Sequence, residues 1–323
     1  MSDPDVLLEP REVPLGGPRA LVVRRTLPHK EVRTIGAWCF VDHFGPAPVA
    51  QNGMHVPPHP HIGLQTVTWL YSGDVLHRDG LGSHQVIRPG QLNLMTAGRG
   101  IAHAEDSVLD AVPVAGARGY DPAVMHGLQL WVALPDGARH QVPHFEHHHD
   151  LPTADLGGAV ATVVLGALGP VAIADAVRSP AATYTPIVGA DLAATGPGRT
   201  RVPLETAFEH GVLPVDGDVR VDGRTVPRGA LLHLPPGRTS FDLDVDGPAR
   251  VFLLGGEPFA ERLVMWWNFV GRAHDDIAAA RADWEAGRTD PGHPGAARFA
   301  PVGHPAPALP APGLPTTRLL PRG

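Results

Sequence analysis

The segment that decides the fold runs from position 59 to position 71 and reads His59-Pro60-His61-Ile62-Gly63-Leu64-Gln65-Thr66-Val67-Thr68-Trp69-Leu70-Tyr71. Residues 63–71 are rich in β-branched and aromatic side chains and end at a turn signal, which predicts a β-strand. Residues two apart in extended chain point to the same face, so His59 and His61 should project together. The segment therefore predicts a strand that follows a pair of histidines sharing one face.

A second pair with the same spacing, His103 and Glu105, follows the glycine-rich bend at residues 97–100. If the two segments lie on neighbouring strands, three imidazoles and one carboxylate converge on one point. This constellation predicts a metal site with His59, His61, His103 and Glu105 as ligands. The alternative is four unrelated polar residues at strand ends. Two paired motifs joined by strands that can place them side by side favour the metal site.

The ligand types narrow the choice of metal without identifying it. Three nitrogens and one oxygen, with no thiolate, suit one divalent ion among Fe(II), Ni(II), Co(II), Mn(II), Cu(II) and Zn(II). Structural zinc sites lean on cysteine, whereas Cys39 is the single cysteine of this chain. An octahedral metal with four protein ligands keeps two positions open for substrate and dioxygen, an arrangement that suits Lewis-acid or oxygen chemistry.

Composition predicts an all-β protein with a sizeable core. The chain has 323 residues, which is long enough for two domains. Its hydrophobic content of 43% is enough to bury a sizeable core. Its 38 glycines and 36 prolines separate short apolar runs. Many short strands at regular spacing are typical of a sandwich or a barrel.

Charge and cysteine content exclude several classes of protein. A net charge of -7 argues against direct nucleic-acid binding, which needs a basic surface. One cysteine allows no intrachain disulfide. The sequence has no apolar run of about 18 residues, and residues 1–5 lack the features of a signal peptide. We therefore expect a cytoplasmic protein that does not bind membranes.

The pattern of short strands repeats in the second half of the chain. Residues 159–256 contain eight predicted strands, among them 182–187, but no His-x-His or His-x-Glu pair. His210 and His233 stand alone there, and a lone histidine is more often a hydrogen-bonded residue than a ligand. The second domain is therefore predicted to be metal-free.

The histidine-rich segment 138–152 lies where a linker between the two domains is expected. It contains His140, His144, His147, His148 and His149. Consecutive residues of a strand alternate between faces, and no ordered pairing with carboxylates is visible. We expect no second metal site here, and the sequence assigns no role to the run His147–His149.

The C-terminal part begins with an apolar, aromatic stretch that is too hydrophobic to be exposed. A helix is predicted from His274 to Ala286, with Gly287 as its stop. The predicted organisation is an N-terminal metal-carrying domain, a metal-free domain, an aromatic segment with a helix that packs back on the barrels, and a Pro/Gly/Ala-rich extended or disordered tail, at residues 1–136, 137–256, 257–288 and 289–323.

The two metal motifs, His59–Thr68 and Met95–Glu105, resemble those of the pirin family, a branch of the cupin superfamily. The resemblance extends to residues 42–46, 128–132, 254–258 and 267–270. It implies a bicupin of two β-barrel (double-stranded β-helix) domains. It also implies iron(II) in the N-terminal barrel, held at His59, His61, His103 and Glu105. Two departures leave these ligands untouched: Gln65 replaces a glutamate of some relatives, and Ala273 occupies the helix N-cap, where a hydroxyl residue caps better.

The resemblance implies two classes of function. Some pirins are similar to quercetin 2,3-dioxygenases, which implies that O2 attacks a flavonol-like enolic substrate whose proton is taken by Glu105, acting as ligand and general base. Other pirins are regulatory proteins, so the alternative is a non-enzymatic, redox-sensing regulator that binds a protein partner. A cupin sugar isomerase is disfavoured because it would need cations for a phosphate. Lys30, the sole lysine, is far from the motifs in sequence, although arginines could replace it.

Overall fold

The computed structural model describes residues 4–15, 21–108, 120–169 and 176–323. Short strands dominate these ranges, as the glycine and proline content predicts. The strands that begin before residue 150 are β1 (Val6–Leu8), β2 (Arg11–Leu15), β3 (Leu21–Leu27), β4 (Trp38–Pro48), β5 (His55–His61), β6 (Leu64–Ser72), β7 (Val75–Asp79), β8 (His84–Ile87), β9 (Leu92–Thr96), β10 (Ile101–Ser107), β11 (Val124–Ala133) and β12 (His144–His148).

The later strands are β13 (Thr153–Asp155), β14 (Val160–Leu168), β15 (Val177–Arg178), β16 (Ile187–Ala194), β17 (Gly198–Pro203), β18 (Glu209–Asp216), β19 (Val219–Val221), β20 (Arg224–Val226), β21 (Leu231–Leu234), β22 (Ser240–Val245), β23 (Ala249–Gly256), β24 (Val264–Trp266) and β25 (Phe269–Gly271). The helices are α1 (Val49–Asn52), α2 (His274–Thr289) and a 3-10 helix, Pro294–Ala297. The predicted all-β class with one C-terminal helix is confirmed. In the described part of the chain, none of these helices has the length and apolar character needed to cross a membrane.

The chain divides into two compact units, each assembled from several stretches. Unit 1 contains residues 1–12, 24–43 and 148–259, and unit 2 contains residues 13–23, 44–147 and 260–323. Strands β2, β3, β4 and β12 have residues in both units. The domain boundaries given above stay predictions, because these units follow contacts and not chain order.

Unit 1 is built from two sheets around an apolar interior. One sheet has the order β1-β21-β18-β23-β16-β14-β13, with β15 paired to β14, and the other has the order β17-β22-β19-β20. Apolar side chains at alternate strand positions, such as Val212, Leu232, Phe241 and Leu253, form one continuous core. Of the predicted strand 182–187, only the last residue is in strand β16.

Unit 2 contains the sheet that positions the candidate site. Its strand order is β5-β10-β7-β8, so β10 lies between β5 and β7. A second sheet has the order β12-β9-β6-β11-β4-β3-β2, and β24 pairs with β25 in a separate ribbon. The predicted linker is wrong in part, because residues 144–148 form strand β12 beside β9.

Helix α2 packs on the ribbon within unit 2 through Ile277, Ala280 and Trp284. Its N-cap is Ala273, as predicted, and Asp276 Oδ2 accepts the backbone N–H of Ala273 at 3.0 Å. The predicted stop at Gly287 is wrong, because the helix continues to Thr289.

A side chain at Gly287 would lie 2.7 Å from the backbone nitrogen of Ala296, so this glycine permits close contact with the 3-10 helix. The residues beyond Thr289 have little regular structure, but a few of them are buried. Phe299 is buried 5.8 Å from the ring of Trp284, and the Trp284 indole donates to the carbonyl of Leu309 at 2.8 Å. Parts of the predicted extended or disordered tail therefore pack within unit 2.

Candidate metal centre

The two predicted motifs lie on adjacent antiparallel strands. His103 on β10 is directly opposite His59 on β5, and Glu105 is opposite Val56, with a register shift between the two positions. The extra residue lies on β5 at Pro57-Pro58. Proline has no N–H to donate to the ladder, so a bulge at this point is expected. The bulge changes the position of Glu105 relative to the histidines of β5.

Three imidazole rings meet inside unit 2. The ring centroids of His59 and His103 are 4.3 Å apart, and that of His61 is 5.0 Å from each of them. One ring nitrogen from each histidine lies within 4.8 Å of the corresponding nitrogens of the other two. The structure thus brings together the three histidines that the sequence predicted.

Burial keeps these imidazoles neutral. It lowers the pKa of His59 to about 4, and it lowers the pKa values of His61 and His103 well below their ordinary value; neighbouring histidines add to each shift. A neutral imidazole retains the lone pair that binds a metal. The cluster is therefore in the ligating form at neutral pH.

Backbone carbonyls fix the orientation of two of the rings. The Nδ1 atom of His59 is 3.0 Å from the carbonyl oxygen of Pro57, and the Nδ1 atom of His61 is 2.9 Å from the carbonyl oxygen of Asn268. A carbonyl can only accept, so each Nδ1 carries the proton and each Nε2 is left with a lone pair. The Asn268 carbonyl immediately precedes strand β25, so the C-terminal ribbon supports the metal-facing geometry of His61.

The Nε2 atom of His103 has no hydrogen-bond partner among the described residues, although it is buried. A buried polar atom without a partner is costly, so its presence calls for an explanation. The Nδ1 atom of the same ring is 3.4 Å from Nδ1 of His77. The donor set and the orphaned nitrogen fit a bound divalent metal.

Glu105 lies beside the imidazole cluster but does not form one group with all three rings. It falls in an overlapping group with His77 and His103, whose ligand atoms are within 4.8 Å of one another. The Thr68 hydroxyl lies 3.3 Å from Glu105 Oε1. Burial raises the pKa of Glu105, and the nearby His77 and Thr68 oppose that shift.

His77 and Asp79 are near the site but are not among the residues predicted from the sequence. Strand β7 places them opposite Glu105 and His103, respectively, on the second edge of β10. Their His-x-Asp spacing is the same two-residue signal that identified the other motifs. Applied to residues 75–79, the same spacing would have singled them out.

The glycine-rich bend at residues 97–100 supports the site by allowing close packing of backbone. Gly98 has a positive φ of 51°, and a Cβ atom there would lie 2.1 Å from the carbonyl oxygen of Gln141. Gly63, directly after the first motif, has a φ of 68° and the same close approach to the carbonyl of Val270. Only glycine fits these positions.

The histidine-rich strand β12 also contributes to the centre. The ring of Phe145 stacks on His77 with centroids 4.5 Å apart and planes 15° apart. His147 is hydrogen-bonded through Nδ1 to Asn93 Oδ1 at 2.6 Å. Both groups of residues able to hold a metal, among those that the structure describes, lie in unit 2 and do not include this run.

Comparison with known proteins identifies the family of these motifs. The model of the Pirin family matches residues 20–132, and that of the Pirin C-terminal cupin domain matches residues 189–290. The chain is 44% identical over 278 residues, 86% of its length and 82% of the relative's, to a Pseudomonas aeruginosa protein with the provisional name quercetin 2,3-dioxygenase. It is 36% identical over 290 residues to a pirin-like protein of Caulobacter vibrioides, covering 88% and 94% of the two chains.

A solved structure is similar over nearly the whole length. The crystal structure of a quercetin 2,3-dioxygenase from Acinetobacter baumannii matches with a TM-score of 0.84 and 39% sequence identity. The match covers 97% of this chain and 96% of the other. The predicted bicupin fold is confirmed.

Proposed function

The chain belongs to the pirin family, and we propose that it is a metal-dependent dioxygenase that acts on a flavonol-like, enolic aromatic substrate with O2. The proposed ligands are His59, His61, His103 and Glu105, and the proposed metal is iron(II). The similarity to proteins named as quercetin 2,3-dioxygenases supports the choice of substrate class.

One observation carries the proposal: the buried Nε2 of His103 has no partner among the described residues and shares a site with two more neutral imidazoles and a carboxylate. A purely structural cluster would pair its polar atoms with one another. A cluster that leaves lone pairs facing a common point is suited to a cation.

The protein's own residues supply binding and proton transfer. When bound, the metal would act as a Lewis acid that lowers the pKa of the enol and favours reaction with O2. Glu105 would take the enolic proton. Its raised pKa makes it a stronger base than an exposed carboxylate. Trp131, whose ring is 5.1 Å from that of His61, adds an aromatic surface beside the ligands.

The test is aerobic turnover of quercetin by the full chain loaded with Fe(II), followed as loss of the flavonol absorbance. Glu105→Gln should lower turnover by about 10²- to 10⁴-fold, the usual contribution of a general base. Metal content is measured in parallel, so that loss of the base is distinguished from loss of the metal. Glu209→Gln, which changes a carboxylate of unit 1, is the matched control and should retain activity.

Two results would contradict the proposal. One is the absence of turnover with each of the six candidate divalent metals, and the other is full activity of Glu105→Gln. A metal-loaded protein without turnover that recovers a stoichiometric protein partner in only one oxidation state would instead favour the regulatory function.

A further inference from the structure

We propose that Asp79 and His77 form a positioning pair that fixes the tautomer of His103, so that its Nε2 is always the metal-ligating atom. The inference rests on the proposed metal centre. It concerns two residues that are not in the predicted ligand set and that lie on the strand on the other side of β10.

Contacts run from Asp79 to His77 and from His77 to His103, and Asp79 is held in place by the backbone. Its side chain is fully buried, and Oδ1 accepts the backbone N–H groups of Leu81 and Ser83 at 2.9 and 3.0 Å. Burial alone would raise the pKa of this carboxyl, but hydrogen bonds from His77 and Ser83 lower it below its ordinary value. Asp79 is therefore an ionised group that can only accept hydrogen bonds.

The tautomer of His77 follows from its contact with Asp79. Asp79 Oδ2 lies 3.2 Å from His77 Nε2 and can only accept, so a neutral His77 carries its proton on Nε2 and presents Nδ1 as the acceptor. Nδ1 of His77 is 3.4 Å from Nδ1 of His103. The only proton available to that contact belongs to His103, which therefore donates through Nδ1 and keeps the lone pair on Nε2.

Packing holds the pair in this geometry. The antiparallel register places Asp79 opposite His103 and His77 opposite Glu105, with all four side chains on one face. Phe145 stacks on His77, which restricts rotation of the ring. Backbone carbonyls orient His59 and His61 by accepting from their Nδ1 atoms. At Nδ1 of His103 the partner is His77, so the pair of His77 and Asp79 takes the place of the carbonyl.

The close group of His77, His103 and Glu105 has a competing explanation, namely a second metal position. The two explanations exclude each other. A metal on Nδ1 of His77 would occupy the lone pair that accepts the His103 proton. Our inference therefore requires one metal per chain.

The decisive variant is Asp79→Asn, which changes one atom and almost no volume. The two backbone N–H groups would hold the amide oxygen where Oδ1 is now, so the amide nitrogen would face His77 and donate to it. His77 would then carry its proton on Nδ1, and His103 would have to carry its own on Nε2. Both tautomers should invert, and the metal-ligating lone pair should be lost.

Tautomers are read from two-bond 15N–1H correlation spectra of the metal-free full chain labelled at histidine, with His103 assigned by its absence in His103→Gln. We expect Nδ1–H in the natural protein and Nε2–H in Asp79→Asn. Fe(II) affinity, measured anaerobically against a chromogenic chelator, should fall by about 10- to 100-fold, the usual effect of losing a group that orients a ligand.

Asp74→Asn is the matched control, because Asp74 is an equally buried carboxylate beside β7 that interacts with Tyr120 and Arg88 instead of an imidazole. It should leave the tautomer and the affinity unchanged. In the background of His77→Phe, Asp79→Asn should have no further effect on affinity, since the ring that transmits the change is gone.

An Nε2–H proton on His103 in the natural protein overturns the inference. Two metals per chain, or an unchanged tautomer in Asp79→Asn, also overturn it. Loss of quercetin turnover is not part of the readout. A protein with the expected tautomers and one metal, but no dioxygenase activity, would refute the proposed function and leave the positioning pair intact.

Discussion

Units 1 and 2 are both built from antiparallel sheets, yet their interiors are filled differently. Inside unit 1, strand positions such as Val212, Phe241 and Leu253 form a continuous apolar core. Unit 2 also has an apolar core, with Phe44 and Leu70 among its members, but its strands β5, β7 and β10 direct histidines and carboxylates toward a common point. The same alternation of side chains thus gives packing alone in unit 1 and packing with a candidate reactive centre in unit 2.

Histidine itself behaves differently in the two units. His210 in unit 1 is buried, and its Nδ1 has no hydrogen-bond partner among the described residues, yet it belongs to neither group able to hold a metal. His103 is equally buried but has two more imidazoles around it. A buried histidine without a hydrogen-bond partner lowers the stability of the folded chain. Several histidines whose lone pairs face one position can offset that loss by binding a cation.

The largest expected effect tests the apolar interior of unit 1. Phe252→Ala removes a ring that is fully buried and packed edge-to-face against Trp38, with centroids 6.4 Å apart. The free energy of unfolding should fall by about 3 to 5 kcal/mol, as measured by urea denaturation. Fe(II) affinity of the folded protein at low temperature should not change. A loss of metal affinity as large as the loss of stability would mean that the contrast between the two units is wrong.

The second prediction compares the loss of a clustered histidine in unit 2 with the loss of the lone buried histidine in unit 1. His61→Ala should weaken Fe(II) binding by at least about 100-fold, because a direct ligand is lost and not only a group that orients one. His210→Gln should retain one metal per chain at natural affinity. Both are measured by anaerobic chelator competition. Equal losses in the two variants would contradict the assignment of the metal centre to unit 2.

The parts of this contrast that could be predicted from the sequence are those encoded in local spacing. Two-residue periodicity predicts that His59 and His61 share one face, as do His103 and Glu105, and the structure brings the three histidines together. The fold class followed from short apolar runs between turn-forming residues. His77 and Asp79 have the same two-residue spacing, but neither is in the predicted ligand set.

Other features depend on long-range packing that no local pattern encodes. The carbonyl that orients His61 belongs to Asn268, 207 positions away in the sequence. The strand character of residues 144–148 comes from pairing beside β9, whereas histidine-rich composition alone indicates a linker. The ordered contacts of Phe299 likewise arise from helix α2 and not from the Pro/Gly/Ala-rich segment that contains it.

The smallest expected effect concerns the cost of the lone histidine in unit 1. Burial, with a smaller contribution from His233, lowers the pKa of His210 to about 3 from its ordinary value of 6.5. Because the unfolded chain takes up this proton first, stability should be lost as the pH falls from about 6.5 toward 3. Between pH 7.5 and pH 5, the loss due to this residue is about 2 kcal/mol.

The measurement is urea denaturation of the metal-free chain at both pH values, for the natural protein and for His210→Gln. The histidines of unit 2 contribute to the pH dependence of both proteins and cancel in the difference between them. The natural protein should therefore lose about 2 kcal/mol more than the variant. If both lose the same amount, His210 is not held neutral by its surroundings, and the pH dependence of the metal-free chain arises elsewhere, with the unit 2 imidazoles as the first candidates.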